Sequence, residues 1–289
     1  MKRKKILFLL ILFTICICCT VCFFSNRNSA TAAQKVVLLI DSNAKPNCTE
    51  IIIEECRDDC VDYCKETGTI LYINTENQII ERNISGEEYT IDIEGIEPTE
   101  KVSNVQYGPF GGEICFIYED EIYQYSLNDK ILTMKTGGIE SSWMKTYLWD
   151  DSVCGYKLID NGNFSELYYI DVSKDLVQRV CTRWIRSIGQ VQGNKIYAFE
   201  TYSNAQHDSS LVDLRNRIIE IDLSDGSTET VQELGNWMEG NYLFACDGEN
   251  LFYIQIKGQK QNIYRINLNT GKKKKIYSTR SKVIGLAVN

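Results

Sequence analysis

The chain has 289 residues, 44% of them hydrophobic, with 31 Lys and Arg against 39 Asp and Glu and a net charge of −8. That length holds one large repeat domain or two ordinary ones, and seventeen Tyr against three Pro favour strands over disorder. Lys2, Arg3, Lys4 and Lys5 crowd the amino end, so the remainder carries 27 basic against 39 acidic residues, a balance that argues against nucleic acid as a partner.

Residues 6–24, from Ile6 to Phe24, follow as nineteen residues without a charge. A cleavable signal has an apolar region of about 7–15 residues, whereas a membrane-spanning helix needs about 20. The length therefore predicts an N-terminal transmembrane helix acting as a signal-anchor, with the membrane as partner through this stretch. The small residues around Ala30, Thr31 and Ala32 offer a cleavage site, and with it a secreted product. Cys16, Cys18, Cys19 and Cys22 fit the bacterial lipobox poorly, because Ile15, Ile17 and Val21 precede three of them where that pattern wants a small residue. In each case positive charge stays inside and the body of the chain faces out. Residues 1–34 are thus expected to be an anchor or signal with a short linker, and residues 35–289 an ectodomain.

A repeat organises that ectodomain. Alternating strands begin at Ile79, Ile122, Leu167, Ile218 and Ile263, at intervals of 43, 45, 51 and 45 residues. The last is the clearest: Ile263-Tyr264-Arg265-Ile266-Asn267-Leu268 alternates apolar and polar residues, turns at Gly271 and resumes as a second strand. A further β-rich run precedes most anchors, as at Ile70 to Ile73, Ile114 to Tyr118 and Leu251 to Ile254. Four strands per unit at this period predict propeller blades. The polar stretch at residues 201–216 reads as a loop inserted between two strands. Val36 to Asp41 and Thr49 to Ile53 are two strands without an inner partner, and Val283 to Val288 is an inner strand without a sequel. Joining them makes a composite blade and hides two edges. The expected fold is all-β: a propeller of about six four-stranded blades, one of them composite, after an N-terminal transmembrane helix.

These blade sentences, at residues 218–223 and 263–268 with Gly226 and Gly271 closing their turns, resemble the six-bladed TolB-like and YWTD-like propellers found outside the bacterial cytoplasm and in receptor ectodomains. The resemblance covers residues 35–289 and implies an architecture rather than an activity. No unit contains the Tyr-Trp-Thr-Asp sequence itself.

Candidate chemistry is sparse. Cys48, Cys56, Cys60 and Cys64 form the densest cysteine group of the ectodomain. Residues 54–66 read as a short helix with Cys56, Cys60 and Cys64 on one face. The spacing lacks the CxxC pairs of a metal site, which leaves buried packing or a disulfide from Cys48 to one of the other three. His207 is the only histidine and stands in the polar insertion, away from any nucleophile elbow. Trp143, Trp184 and Trp237 each fall between one hairpin and the next unit, where a ligand platform with Arg186 and Glu239 as polar partners competes with simple packing between blades. No nucleophile, metal or phosphate-loop motif is present, and no cofactor is expected. The function expected is a membrane-anchored, extracytoplasmic, non-catalytic module for an unidentified protein or carbohydrate ligand. The alternative is a carbohydrate-active propeller enzyme using carboxylates at the channel mouth.

Overall fold

In the computed structural model, residues 34–41, 47–108, 112–119, 121–136, 144–149, 154–160, 165–171, 174, 176–203, 214–236 and 243–288 are described, with side chains omitted at 58–60, 134–136, 144–149, 154–157, 159–160, 190 and 236. The strands run β1 (Lys35–Asp41) and β2 (Asn47–Ile52); β3 (Cys56–Cys64), β4 (Thr69–Asn74), β5 (Ile79–Asn83) and β6 (Glu88–Thr90); β7 (Ser103–Tyr107), β8 (Glu113–Tyr118), β9 (Glu121–Ser126) and β10 (Leu132–Thr136). They continue as β11 (Met144–Trp149), β12 (Cys154–Asp160), β13 (Ser165–Asp171) and β14 (Leu176–Arg183); β15 (Ile185–Gln192), β16 (Lys195–Ser203), β17 (Leu214–Asp222) and β18 (Thr228–Asn236). The last are β19 (Phe244–Cys246), β20 (Asn250–Lys257), β21 (Lys260–Asn267), β22 (Lys273–Thr279) and β23 (Lys282–Val288).

From β3 to β22 these strands make five four-stranded antiparallel sheets, each built from four consecutive strands. Each repeat anchor lies in the third strand of its sheet, and Ile79, Ile122, Leu167, Ile218 and Ile263 are all buried. The periodicity is strongest there because a third strand has a partner on both edges and a neighbouring sheet to pack against. The turn that follows it is specific. Gly226 and Gly271 adopt φ of 71° and 67°, and each donates its amide to the carbonyl four residues earlier, on Asp222 and Asn267, at 2.8 Å. A Cβ at Gly226 would stand 2.2 Å from the Val180 carbonyl oxygen of the preceding sheet, so backbone conformation and packing both demand glycine.

The ends of the described chain share one sheet, of order β2-β1-β23, in which β1 pairs antiparallel with β2 and parallel with β23. Alternate residues of β1 feed two different cores. Val36, Leu38 and Ile40 pack with Phe252, Ile254 and Ile263, whereas Val37 and Leu39 pack with Ile53, Ile70 and Tyr72. A strand buried on both faces reads as an apolar run, which is what residues 36–40 are. The inner strand β23 packs against β19 on one side and β3 on the other. Residues 35–289 form one compact unit.

Several expectations are corrected. Among the described residues the sheets are five of four strands and one of three, not six of four. Every described element is a strand, and among the described residues no helix is long and apolar enough to cross a membrane. Residues 6–24 lie outside the described residues; an apolar run records hydropathy, not conformation. The N-terminal transmembrane helix, the membrane as partner and the single-pass location are not carried forward, whereas a secreted form is compatible with an all-strand structure. Residues 56–64 are a strand rather than a helical face. Spacings of four and eight put cysteines on one side of a helix and equally on one side of a strand, and pairing with β4 selects the strand. Finally, β16 and β17 continue into the expected loop, with Thr201 opposite Asn216 and Ser203 opposite Leu214. The buried Thr201 hydroxyl donates to Asn216 Oδ1 at 2.9 Å, which satisfies the oxygen of that amide inside the hairpin while its Nδ2 stays buried without a partner among the described residues.

Candidate functional site

The strands β3, β7, β15, β19 and β23 meet their neighbours along the inner wall of the ring. Asp62 lies on β3, two residues before that strand ends. Its Oδ2 accepts the Tyr107 amide of β7 at 2.8 Å, and its Oδ1 accepts the Tyr63 amide at 2.8 Å. Inner strands are edge strands with unpaired amides, so one carboxylate here ties β3 to β7. Solvent still reaches Asp62, but protein surrounds it. Burial pushes its carboxyl up to about 6, with the two backbone hydrogen bonds only partly offsetting the loss of water.

Tyr107 connects this acid to a second. Its hydroxyl donates to Glu81 Oε1 at 2.9 Å and is hydrogen-bonded to Thr69 Oγ1 at 2.7 Å. Burial, followed by the nearby Glu81, raises that phenol well above its usual range, which keeps the proton on the hydroxyl. A third acid completes the group: Glu113 Oε2 lies over Gly108, 3.5 Å from where a Cβ would stand, and accepts a hydrogen bond from Gln124. Asp62, Glu81 and Glu113 thus surround Tyr107 and Gly108, each held by donors.

Other buried acids are handled differently. Glu200 is bracketed by Arg183 at 2.8 Å and Arg217 at 2.6 Å, and Asp171 pairs with Lys174. Those are neutralised structural carboxylates. Among the described residues Asp62 has no Lys or Arg against it, and burial pushes it toward neutral pH. Nothing in the sequence singles it out, since its neighbours Asp58 and Asp59 make the stretch look like a solvated acidic run. Among the described residues no group of three His, Cys, Asp or Glu could hold a metal ion.

Of the residues the sequence nominated, Trp143, Trp237 and Glu239 lie outside the described residues, as does His207. Trp184 is half-buried at the head of β15, with the Arg186 guanidinium 4.8 Å from its ring centroid. Arg186 Nε donates to Thr201 Oγ1 at 3.0 Å, which fixes the cation over the indole. Cys48, Cys56 and Cys64 carry free thiols in three separate cores, and the side chain of Cys60 is not described. The separation has a geometric cause. Between Cys56 and Val61 the β3 register slips by three residues against β4, an odd number, which turns Cys56 and Cys64 to opposite faces. Burial and then Glu50 raise the Cys48 thiol to about 11, so it stays protonated as a packing group.

No protein-family model matches the sequence, and no curated protein matches it. Solved structures do. A putative TolB from Agrobacterium tumefaciens matches at TM-score 0.60 and 9% identity over 86% of this chain and 90% of that one. TolB from Acinetobacter baumannii matches at TM-score 0.58 and 13% identity over 82% of this chain, which spans 62% of that protein. An oligogalacturonate lyase in complex with manganese matches at TM-score 0.51 and 10% identity, over 86% of this chain and 75% of that one. At such identities the likeness establishes the fold: an all-β propeller distantly related to TolB-like propellers.

Proposed function

We propose that this protein is a carbohydrate-active propeller that breaks glycosidic bonds at the end of the central channel where β3 and β7 finish, with Asp62 as its proton-transferring group. The non-catalytic, membrane-anchored module expected from the sequence is set aside. No described helix can cross a membrane, and an oligogalacturonate lyase among the fold neighbours suits the carbohydrate-active alternative better. The blade sentences and the two TolB structures favour placing the chain with the TolB-like kind of propeller.

The observation that carries the proposal is Asp62 itself, an inner-strand carboxyl whose pKa of about 6 keeps a useful fraction protonated near neutrality. A group poised there can donate a proton to a leaving glycosidic oxygen and take one back. Bond cleavage between sugars uses two carboxyl groups with separated roles, and Glu81 or Glu113 would supply the second. Tyr107 holds Asp62 through its amide and Glu81 through its hydroxyl, so one residue orients both acids.

The test is cleavage of a panel of neutral and acidic oligosaccharides by the wild-type protein and by Asp62→Asn. Asparagine keeps one acceptor, for the Tyr107 amide, while removing the proton, so turnover should fall by about 10²–10⁴ with the fold retained by circular dichroism. Wild-type turnover should also lose activity on the alkaline side as Asp62 ionises above about 6. A new reducing end without ultraviolet absorbance would mark hydrolysis, and an absorbing unsaturated product would mark elimination. Calorimetric binding of a panel sugar with no cleavage under any condition would make the protein a binder instead.

A further inference from the structure

The last blade differs in charge from the rest of the molecule. From Asn250 onward the chain contains nine of its 31 Lys and Arg and none of its 39 Asp and Glu, which leaves 22 basic against 39 acidic residues before it. These forty residues are β20 to β23, so the charge is concentrated in space as well as in sequence. Lys257 and Lys260 flank the β20–β21 turn, and Lys272 to Lys275 lead into and form the start of the outermost strand β22, all of them exposed.

A bland account exists, since lysines on an edge strand deter edge-to-edge pairing. The other sheets show how much charge that takes. Their outer strands β2, β6, β10, β14 and β18 carry one or two charged residues each. Three consecutive lysines on β22, with a fourth just before it, exceed that need and repel one another. The cost is visible at Lys273, whose ammonium lies over the stacked rings of Tyr264 and Tyr253, 4.4 and 5.2 Å from their centroids. Burial, and then Lys257, lower its pKa. The rings hold this cation in place rather than letting it move freely in solvent.

We propose that the outer edge of the β19–β22 blade is a docking site for a linear acidic polysaccharide, a chain of uronate sugars, remote from the inner-strand acids. The choice of polyanion rests on the carbohydrate reading; the place of the site does not. A strand advances about 3.4 Å per residue with side chains alternating between its two faces. On an outermost strand both faces border the open edge, so lysines at successive positions line that edge with charge for an extended polymer rather than forming a pocket for a single phosphate. A single narrow chain can follow Lys272 to Lys275 short of Glu50, which accepts from the Tyr277 and Ser281 hydroxyls farther along the edge. A duplex or a lipid surface is broad enough to meet the acidic remainder and be repelled by it.

The experiment measures binding of the intact protein to polygalacturonate across a salt series, beside neutral dextran, duplex DNA and vesicles of anionic lipid. The wild-type protein should bind polygalacturonate in preference to all three, and salt should weaken the interaction. Lys272→Gln, Lys274→Gln and Lys275→Gln combined should weaken it by about tenfold or more at low salt with the melting temperature unchanged. Lys273 is spared in that variant because it packs on tyrosine. Equal binding by the triple variant, no binding by the wild type, or binding of DNA or vesicles as tight as that of polygalacturonate would each overturn the proposal. Docking through the lysines without cleavage would sink only the catalytic reading, and cleavage without docking only this one.

Discussion

The β3–β6 and β19–β22 blades are built alike and charged oppositely. Each has four antiparallel strands, an isoleucine-anchored third strand and a buried second strand, Thr69–Asn74 in one and Asn250–Lys257 in the other. The first carries Asp62 and Glu81, two of the three acids around Tyr107, and the second carries the lysine row. Between them stands the β2-β1-β23 sheet, whose two faces pack one against each blade. The difference teaches that interior alternation fixes the architecture and leaves edges and inner-strand ends free to acquire charge of either sign.

The sharpest way to break that comparison is to remove the strand between the two blades. Deleting residues 282–289 takes away β23, with Val283 and Ile284 buried in opposite cores. The expected loss is about 5 kcal/mol or more, a fall in melting temperature of roughly 10–20 °C. An unchanged melting curve would show that β23 does not hold the ring closed. Next in size, Ile73→Ala and Ile263→Ala test whether the interiors are equivalent, since both side chains are fully buried. Each should cost about 2–5 kcal/mol by chemical denaturation, and a large disparity would mean that one blade is held by something other than its core.

The smallest effect isolates the acidic blade. Asp62 has its folded pKa raised to about 6, above the value of an unfolded aspartate. Between about pH 4 and 6 the native state therefore holds more protons than the unfolded state, and this group's contribution to stability falls as pH rises through that window. Asp62→Asn should remove the fall. Relative to wild type the variant should gain about 1–2 kcal/mol between pH 4 and pH 6, discounted for the solvent that reaches the site, on top of a pH-independent cost of losing one acceptor for the Tyr63 amide. Parallel melting curves across the range would place the carboxyl in an ordinary aqueous setting.

How much of this was legible in the sequence follows from where alternation is imposed. The third strands announced themselves because both edges and both faces are engaged, so Ile79, Ile122, Leu167, Ile218 and Ile263 had to be apolar. The turn glycines were visible for the same reason, as only a left-handed residue closes those turns. Inner strands are short and have one open edge. On β3 a three-residue slip interrupts the alternation, which made Cys56, Cys60 and Cys64 read as a helix. Asp62 was hidden because its character comes from Tyr107, 45 residues away, and no local pattern encodes the burial of a carboxyl by a neighbouring blade. The tryptophans were chosen for their spacing, and of the three only Trp184 falls within the described residues, where Arg186 stacks on it.

The parallel pairing of β1 with β23 has a consequence for biosynthesis. The strand at Lys35–Asp41 leaves the ribosome well before its second hydrogen-bonding partner, β23, and is apolar on both faces. Until then β2 protects one edge and the other stays open, while Val36 to Ile40 remain uncovered on at least one side. An unpaired apolar edge held open through the synthesis of five sheets is a template for mispairing with another nascent chain. Folding of this ring is therefore a race between its own completion and association, and slowing translation just ahead of β23 should lower the yield of soluble protein without altering the stability of the molecules that close.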